Sequence, residues 1–112
     1  MVKMGAFLST TVFGLLIVAM GIANAMGNIT TLHWYHRQRV AKEDIKPFGR
    51  VVGFGTIICG ASSILFGLAF LAKELTGADI FIWLGTAVLI GGMAAGITVA
   101  LWAIVKYNKG LF

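Results

Sequence analysis

Residues 4–32, 51–72 and 80–105 form runs of 29, 22 and 26 residues without a single Asp, Glu, Lys or Arg. About 20 consecutive apolar residues cross the hydrocarbon core of a bilayer as a helix. Three helices that are apolar all round cannot be buried by a 112-residue soluble chain, because each would need a second layer of protein around it. The bilayer is the solvent these runs are built for.

Only 12% of the residues are charged against 59% hydrophobic, with 15 Gly and one Pro, far from the soluble average of about 25% charged. Helices alone satisfy their backbone polar groups within one segment in lipid, so the expected fold is all-α. It is an integral membrane protein of three transmembrane helices forming a single domain over residues 1–112, packed in a homo-oligomer. Cys59, the one cysteine, falls in mid-span and reads as a buried small residue.

Charge sets the orientation. Residues 33–50 carry Arg37, Arg39, Lys42, Lys46 and Arg50 against Glu43 and Asp44, and the tail adds Lys106 and Lys109 on the same side. Only Lys3 and Lys73 of the nine cations fall opposite. Short loops rich in Lys and Arg stay in the cytoplasm, which predicts a cell-membrane protein with N-terminus outside and C-terminus inside. Ala23-Asn24-Ala25 after an apolar stretch also mimics a secretory cleavage site. That stretch exceeds the 7–15 residues of a signal h-region, and cleavage would leave the most basic loop outside.

Several helix ends are legible. Pro47 suits a first helical turn, where its missing N–H costs nothing, and it biases Lys46 away from helix. Thr76-Gly77 is a stop after Lys73, and Asp79 a cap for the third helix, giving a tight external hairpin. Trp34, Tyr35, Trp83, Trp102 and Tyr107 fall near the span ends, the depth at which amphipathic rings anchor.

Candidate functional residues form stripes. Gly49, Gly53, Thr56, Gly60, Ser63 and Gly67 share one face of the second span. Such a face lets another backbone approach closely, and with Ser62 and Cys59 beside it the same face suits a polar conduit in an oligomer. On the first span Gly14, Ile17, Gly21, Asn24, Asn28 and Thr31 line up, and two carboxamides within a span require partners. Asn24 and Asn28 either bond to neighbouring helices or coordinate a solute. The third span offers Gly85, Gly92 and Gly96, with Thr98 as its main mid-span polar group.

The absence of an ionisable residue from all three spans argues against a proton antiporter. No nucleophile–base set, Cys/His metal spacing or phosphate loop supports an enzyme, a metal or a cofactor. His33 and His36 titrate near neutral pH and read either as interface hydrogen bonders or as a pH sensor. The basic loop lies too close to two membrane entries to read nucleic acid, so anionic headgroups are its expected partner. Arg37, Arg39 and Arg50 would also steer an anion to a pore mouth.

The stretch Tyr35-His-Arg-Gln-Arg-Val-Ala-Lys-Glu-Asp-Ile-Lys-Pro-Phe-Gly-Arg50, running into Val51-Val-Gly-Phe-Gly, resembles the loop of the small three-span bacterial membrane proteins grouped as DUF3784. Here His-Trp-Tyr-His stands where a Gly-Tyr-Asn type segment is more usual. The resemblance implies a three-span topology and a bacterial source, and no activity. Gly55-Thr56 with the small residues after it also looks faintly like the small fluoride channels, which have four spans. The sequence thus points to a small oligomeric channel or facilitator for ions or polar solutes. The alternative is a non-transporting accessory or scaffold subunit of a membrane complex. A conduit would run as a hydrated line through Thr56, Ser63 and Asn24, whereas a scaffold would fill that line with side chains.

Overall fold

A computed structural model describes residues 2–29 and 37–110. Its three long helices are α1 (Val2–Ala25), α2 (Ile45–Thr76) and α3 (Ile80–Asn108), with a 3-10 turn at Lys42–Asp44 leading into α2. Each is long and apolar enough to cross a membrane. At 1.5 Å per residue, the 32 residues of α2 reach about 48 Å, close to the 51 Å long axis of the molecule.

The central helix α2 packs against α1 and against α3, which scarcely meet each other. This follows from the spacing of small residues along it. Gly53, Gly60 and Gly67 recur every seven residues, and so do Gly55, Ser62 and Ala69, two places further on. Two residues are about 200° around a helix, so the two series fall on opposite faces. The first series meets α1 and the second meets α3.

The ends depart from the sequence expectation in instructive ways. The first span does not run to Leu32, because α1 stops at Ala25. The amide of Asn28 donates to the Ala23 carbonyl at 3.0 Å and that of Gly27 to the Asn24 carbonyl at 2.9 Å, while Gly27 has φ 101°. That pair of bonds around a left-handed residue closes a helix and consumes its last carbonyls. The second helix is longer than residues 51–72 and contains Lys46, against the bias expected from Pro47. The 3-10 turn delivers the chain already wound, since the Ile45 amide bonds the Lys42 carbonyl. Pro47 then sits in the first turn, where it forfeits no helical hydrogen bond.

The hairpin between α2 and α3 closes as expected at Gly77, φ 75°, whose amide donates to the Lys73 carbonyl at 2.7 Å. Asp79 stands at the N-cap of α3 without capping it through its side chain. Its carboxylate turns instead to the Lys73 ammonium, 3.8 Å away. Opposite charges at the tip outcompete the cap, although an ion pair this exposed contributes no more than about 1 kcal/mol.

At the other end Phe48, Val52, Ala103 and Ile104 form a small core, covered by Ile29, Val40, Val51 and Tyr107. Phe48 and Tyr107 meet edge to face with centroids 6.0 Å apart. All seven cations of residues 37–109 other than Lys73 lie on the segments at this end, with Glu43 and Asp44, so it holds a charge of 7 − 2 = +5. Lys3 and Lys73 cancel Glu74 and Asp79 at the hairpin end. The whole formal net charge of +5 is therefore polarised along the long axis.

Candidate functional site: the two seams of the central helix

The seam between α1 and α2 is built from glycines that face each other. A β-carbon at Gly60 would lie 2.7 Å from the Gly14 carbonyl oxygen, and one at Gly14 would lie 2.7 Å from the Gly60 carbonyl oxygen. One at Gly21 would sit 2.8 Å from the Gly53 carbonyl oxygen, and a side chain at Gly53 would strike Gly21 and Ala25 in return. A side chain at Gly49 would run into the Asn24 carbonyl, and one at Gly67 into the Thr10 hydroxyl at 2.6 Å. Backbones at this separation gain dispersion contacts along their whole length, the main source of helix association when no water is displaced.

The polar members of the stripe are bonded within the chain. Thr56 donates its hydroxyl to the Val52 carbonyl one turn back at 2.9 Å. Ser63 reaches across the seam to the Thr10 carbonyl at 3.0 Å. The Asn24 side chain is buried, 2% exposed, and its amide donates to the main-chain carbonyl of Asn28 at 2.8 Å. Asn28 itself lies beyond the end of α1 and is exposed, so the two carboxamides do not share a helical face as the spacing implied. Asn24 serves the turn that ends its own helix. The Thr11 hydroxyl, also in this seam, is the one buried side-chain oxygen among the described residues without a partner.

The opposite seam was only partly legible. Gly55 and Gly96 face each other across it, and a β-carbon at Gly96 would lie 2.5 Å from the Cys59 sulfur. Cys59 is buried, with its sulfur 3.9 Å from the Met93 carbonyl. The Ser62 hydroxyl donates to the Ile58 carbonyl at 2.7 Å and occupies the space a side chain at Gly92 would need. Gly85 receives Ala69 and Phe66. The signal for this face was present in the seven-residue recurrence of Gly55, Ser62 and Ala69. Reading α2 as having one special face hid it.

Asn108 was not singled out by sequence. It is fully buried at the last turn of α3, its side-chain Oδ1 accepting the Arg39 main-chain N–H at 2.7 Å and its side-chain Nδ2 donating to the Gly110 carbonyl at 3.1 Å. One side chain thus ties the basic loop to the far helix.

Of the basic candidates, Arg37 is half-buried and Arg39 and Arg50 are exposed. His33 and His36, with Trp34, Tyr35 and Thr31, lie outside the described residues. Among the described residues no three His, Cys, Asp or Glu side chains gather as metal ligands would. Trp83 and Trp102 are exposed, and the Lys106 ammonium lies over the Trp102 and Tyr107 rings, 4.8 and 5.1 Å from their centroids. Comparison with protein-family models, curated proteins and solved structures returns no match.

Proposed function

We propose that the chain is a multi-pass membrane protein with its basic end in the cytoplasm, acting as a non-transporting accessory or scaffold subunit and not as a conduit or an enzyme. The observation that carries this reading is the closure of both seams. Thr56, Ser63 and Asn24, the residues a hydrated line would need, each donate to a carbonyl of the same chain. The glycines beside them are occupied by the backbones of α1 and α3. What remains outward on α1 and α3 is largely apolar, including Leu8, Val12, Phe13, Leu15 and Leu16 on α1 and Leu84, Ile90 and Leu101 on α3. Surfaces of that kind suit lipid tails or the apolar helices of a larger complex. The polarised charge supports the orientation, since cations at helix ends favour the cytoplasmic face.

Purified protein in liposomes tests this directly. Potassium, chloride, fluoride, proton and glycerol permeation should not exceed that of empty vesicles, and Thr56→Val and Ser63→Ala should change nothing. Permeation of any of these that Thr56→Val or Ser63→Ala abolishes would overturn the reading and put the conduit in its place.

A further inference from the structure

The outer face of α3 carries a shallow, open groove between side chains of that one helix, lined by Thr98, Leu101, Trp102 and Val105, which leads to the basic end of the molecule. We propose that this groove binds one acyl chain of an anionic diacyl phospholipid, with the phosphate held by Lys106 at its mouth. The site rests on the membrane placement proposed above and adds to it a specific lipid-binding position.

Three features converge. Its four lining residues stand at i, i+3, i+4 and i+7 of one helix, so it is a shallow apolar strip walled by α3 alone. It is open along its side, which suits a chain that stays part of a leaflet and not a solute that must be enclosed. Its lining is apolar apart from the Trp102 indole N–H and the Thr98 hydroxyl, which donates to the Ala94 carbonyl at 2.7 Å and so makes no demand on a ligand. Its length also fits. From Thr98 to Lys106 is eight residues, about 12 Å of helix, most of the roughly 15 Å depth of one leaflet.

The third feature is charge. Lys106 follows directly on the last residue of the charge-free run, where α3 would meet the headgroups. Its ammonium is steadied over the Trp102 and Tyr107 rings at 4.8 and 5.1 Å, and Lys109 follows within one turn. A cation held on ring faces keeps its outer hemisphere open to a phosphate, while Trp102 serves as both groove wall and platform. The Lys106 ammonium at the mouth selects an anionic headgroup over a zwitterionic one.

Trp102 is the reporter. With Trp34 and Trp83 replaced by Phe, the protein is placed in phosphatidylcholine vesicles containing a fixed fraction of acyl-brominated phosphatidylglycerol or, in parallel, acyl-brominated phosphatidylcholine. Quenching of Trp102 should report about fivefold local enrichment of the anionic lipid, the factor expected of one lysine near a surface. Lys106→Gln should abolish that preference and leave quenching by brominated phosphatidylcholine unchanged, whereas Lys46→Gln should preserve it. Equal quenching by the two lipids, or equal loss in the two variants, would overturn the site and leave only diffuse attraction. Absence of quenching by either lipid would overturn the membrane placement and the site with it.

Discussion

Asn24 shows how one side chain decides a helix end. Its amide bonds the Asn28 carbonyl in a buried place, next to the two main-chain bonds that close α1. Asn24→Leu removes the donor but keeps the volume, and should lower stability by about 0.5–1.5 kcal/mol, the net worth of one hydrogen bond. Asn24→Asp should cost more, because a carboxylate would face a carbonyl oxygen with no proton between them. Thermal unfolding in detergent checks the order: wild type above Leu above Asp. A Leu variant as stable as wild type would remove this role from Asn24. At Asn108 the expected loss is larger, about 1–3 kcal/mol, because Asn108→Ala strands the Arg39 N–H. Trypsin should then cut the Arg39–Lys42 loop faster than in wild type, and an unchanged cleavage rate would show that the loop does not depend on this tie. Neither role was readable from spacing. The sequence placed Asn24 and Asn28 on a common helical face because a charge-free run carries no mark of where the helix inside it ends. Gly27 was the available mark, since a glycine just past a helix commonly takes the left-handed conformation found there.

At the scale of elements, the charge-free runs sufficed to locate three helices, and small-residue spacing sufficed to locate one seam. Their lengths were legible unevenly: Pro47 and Thr76-Gly77 marked the ends of α2, which runs on through Arg50, Lys73 and Glu74, whereas α1 stops at Ala25, well short of the end of its charge-free run. Charged residues end an apolar run without ending a helix, and only backbone chemistry at Gly27 and Gly77 does that. The seams make a graded prediction. Gly60→Leu and Gly55→Leu insert side chains against opposing backbone, and overpacking of this kind typically costs about 1–3 kcal/mol. Gly91 has nothing within 4 Å of where a β-carbon would stand, so Gly91→Ala should be neutral or slightly stabilising through helix propensity. Unfolding midpoints of the three variants in one detergent make the comparison. If Gly91→Ala proves as damaging as Gly60→Leu, the two seams are not where the close packing is.

For the whole molecule, polarised charge and antiparallel helices place both ends of the hairpin loop away from the basic loop. In a Cys59→Ala background, Thr76→Cys should react with an impermeant thiol reagent in intact cells and Lys42→Cys should not. The reverse pattern would invert the orientation. The sequence read the glycine stripe of α2 as a packing face that would also suit an oligomeric pore, because spacing says that a backbone comes close without saying whose. In the structure, α1 and α3 of the same chain take both faces. Stability drawn from contacts within one chain does not depend on protein concentration, whereas stability drawn from contacts between copies does. The decisive measurement is therefore the unfolding midpoint of the wild-type protein over a hundredfold range of protein-to-detergent ratio, with Gly60→Leu alongside. The account predicts a constant wild-type midpoint and a constant offset for the variant. A wild-type midpoint that falls on dilution, with an offset that vanishes at the dilute end, would show that the seams close between copies and would contradict it.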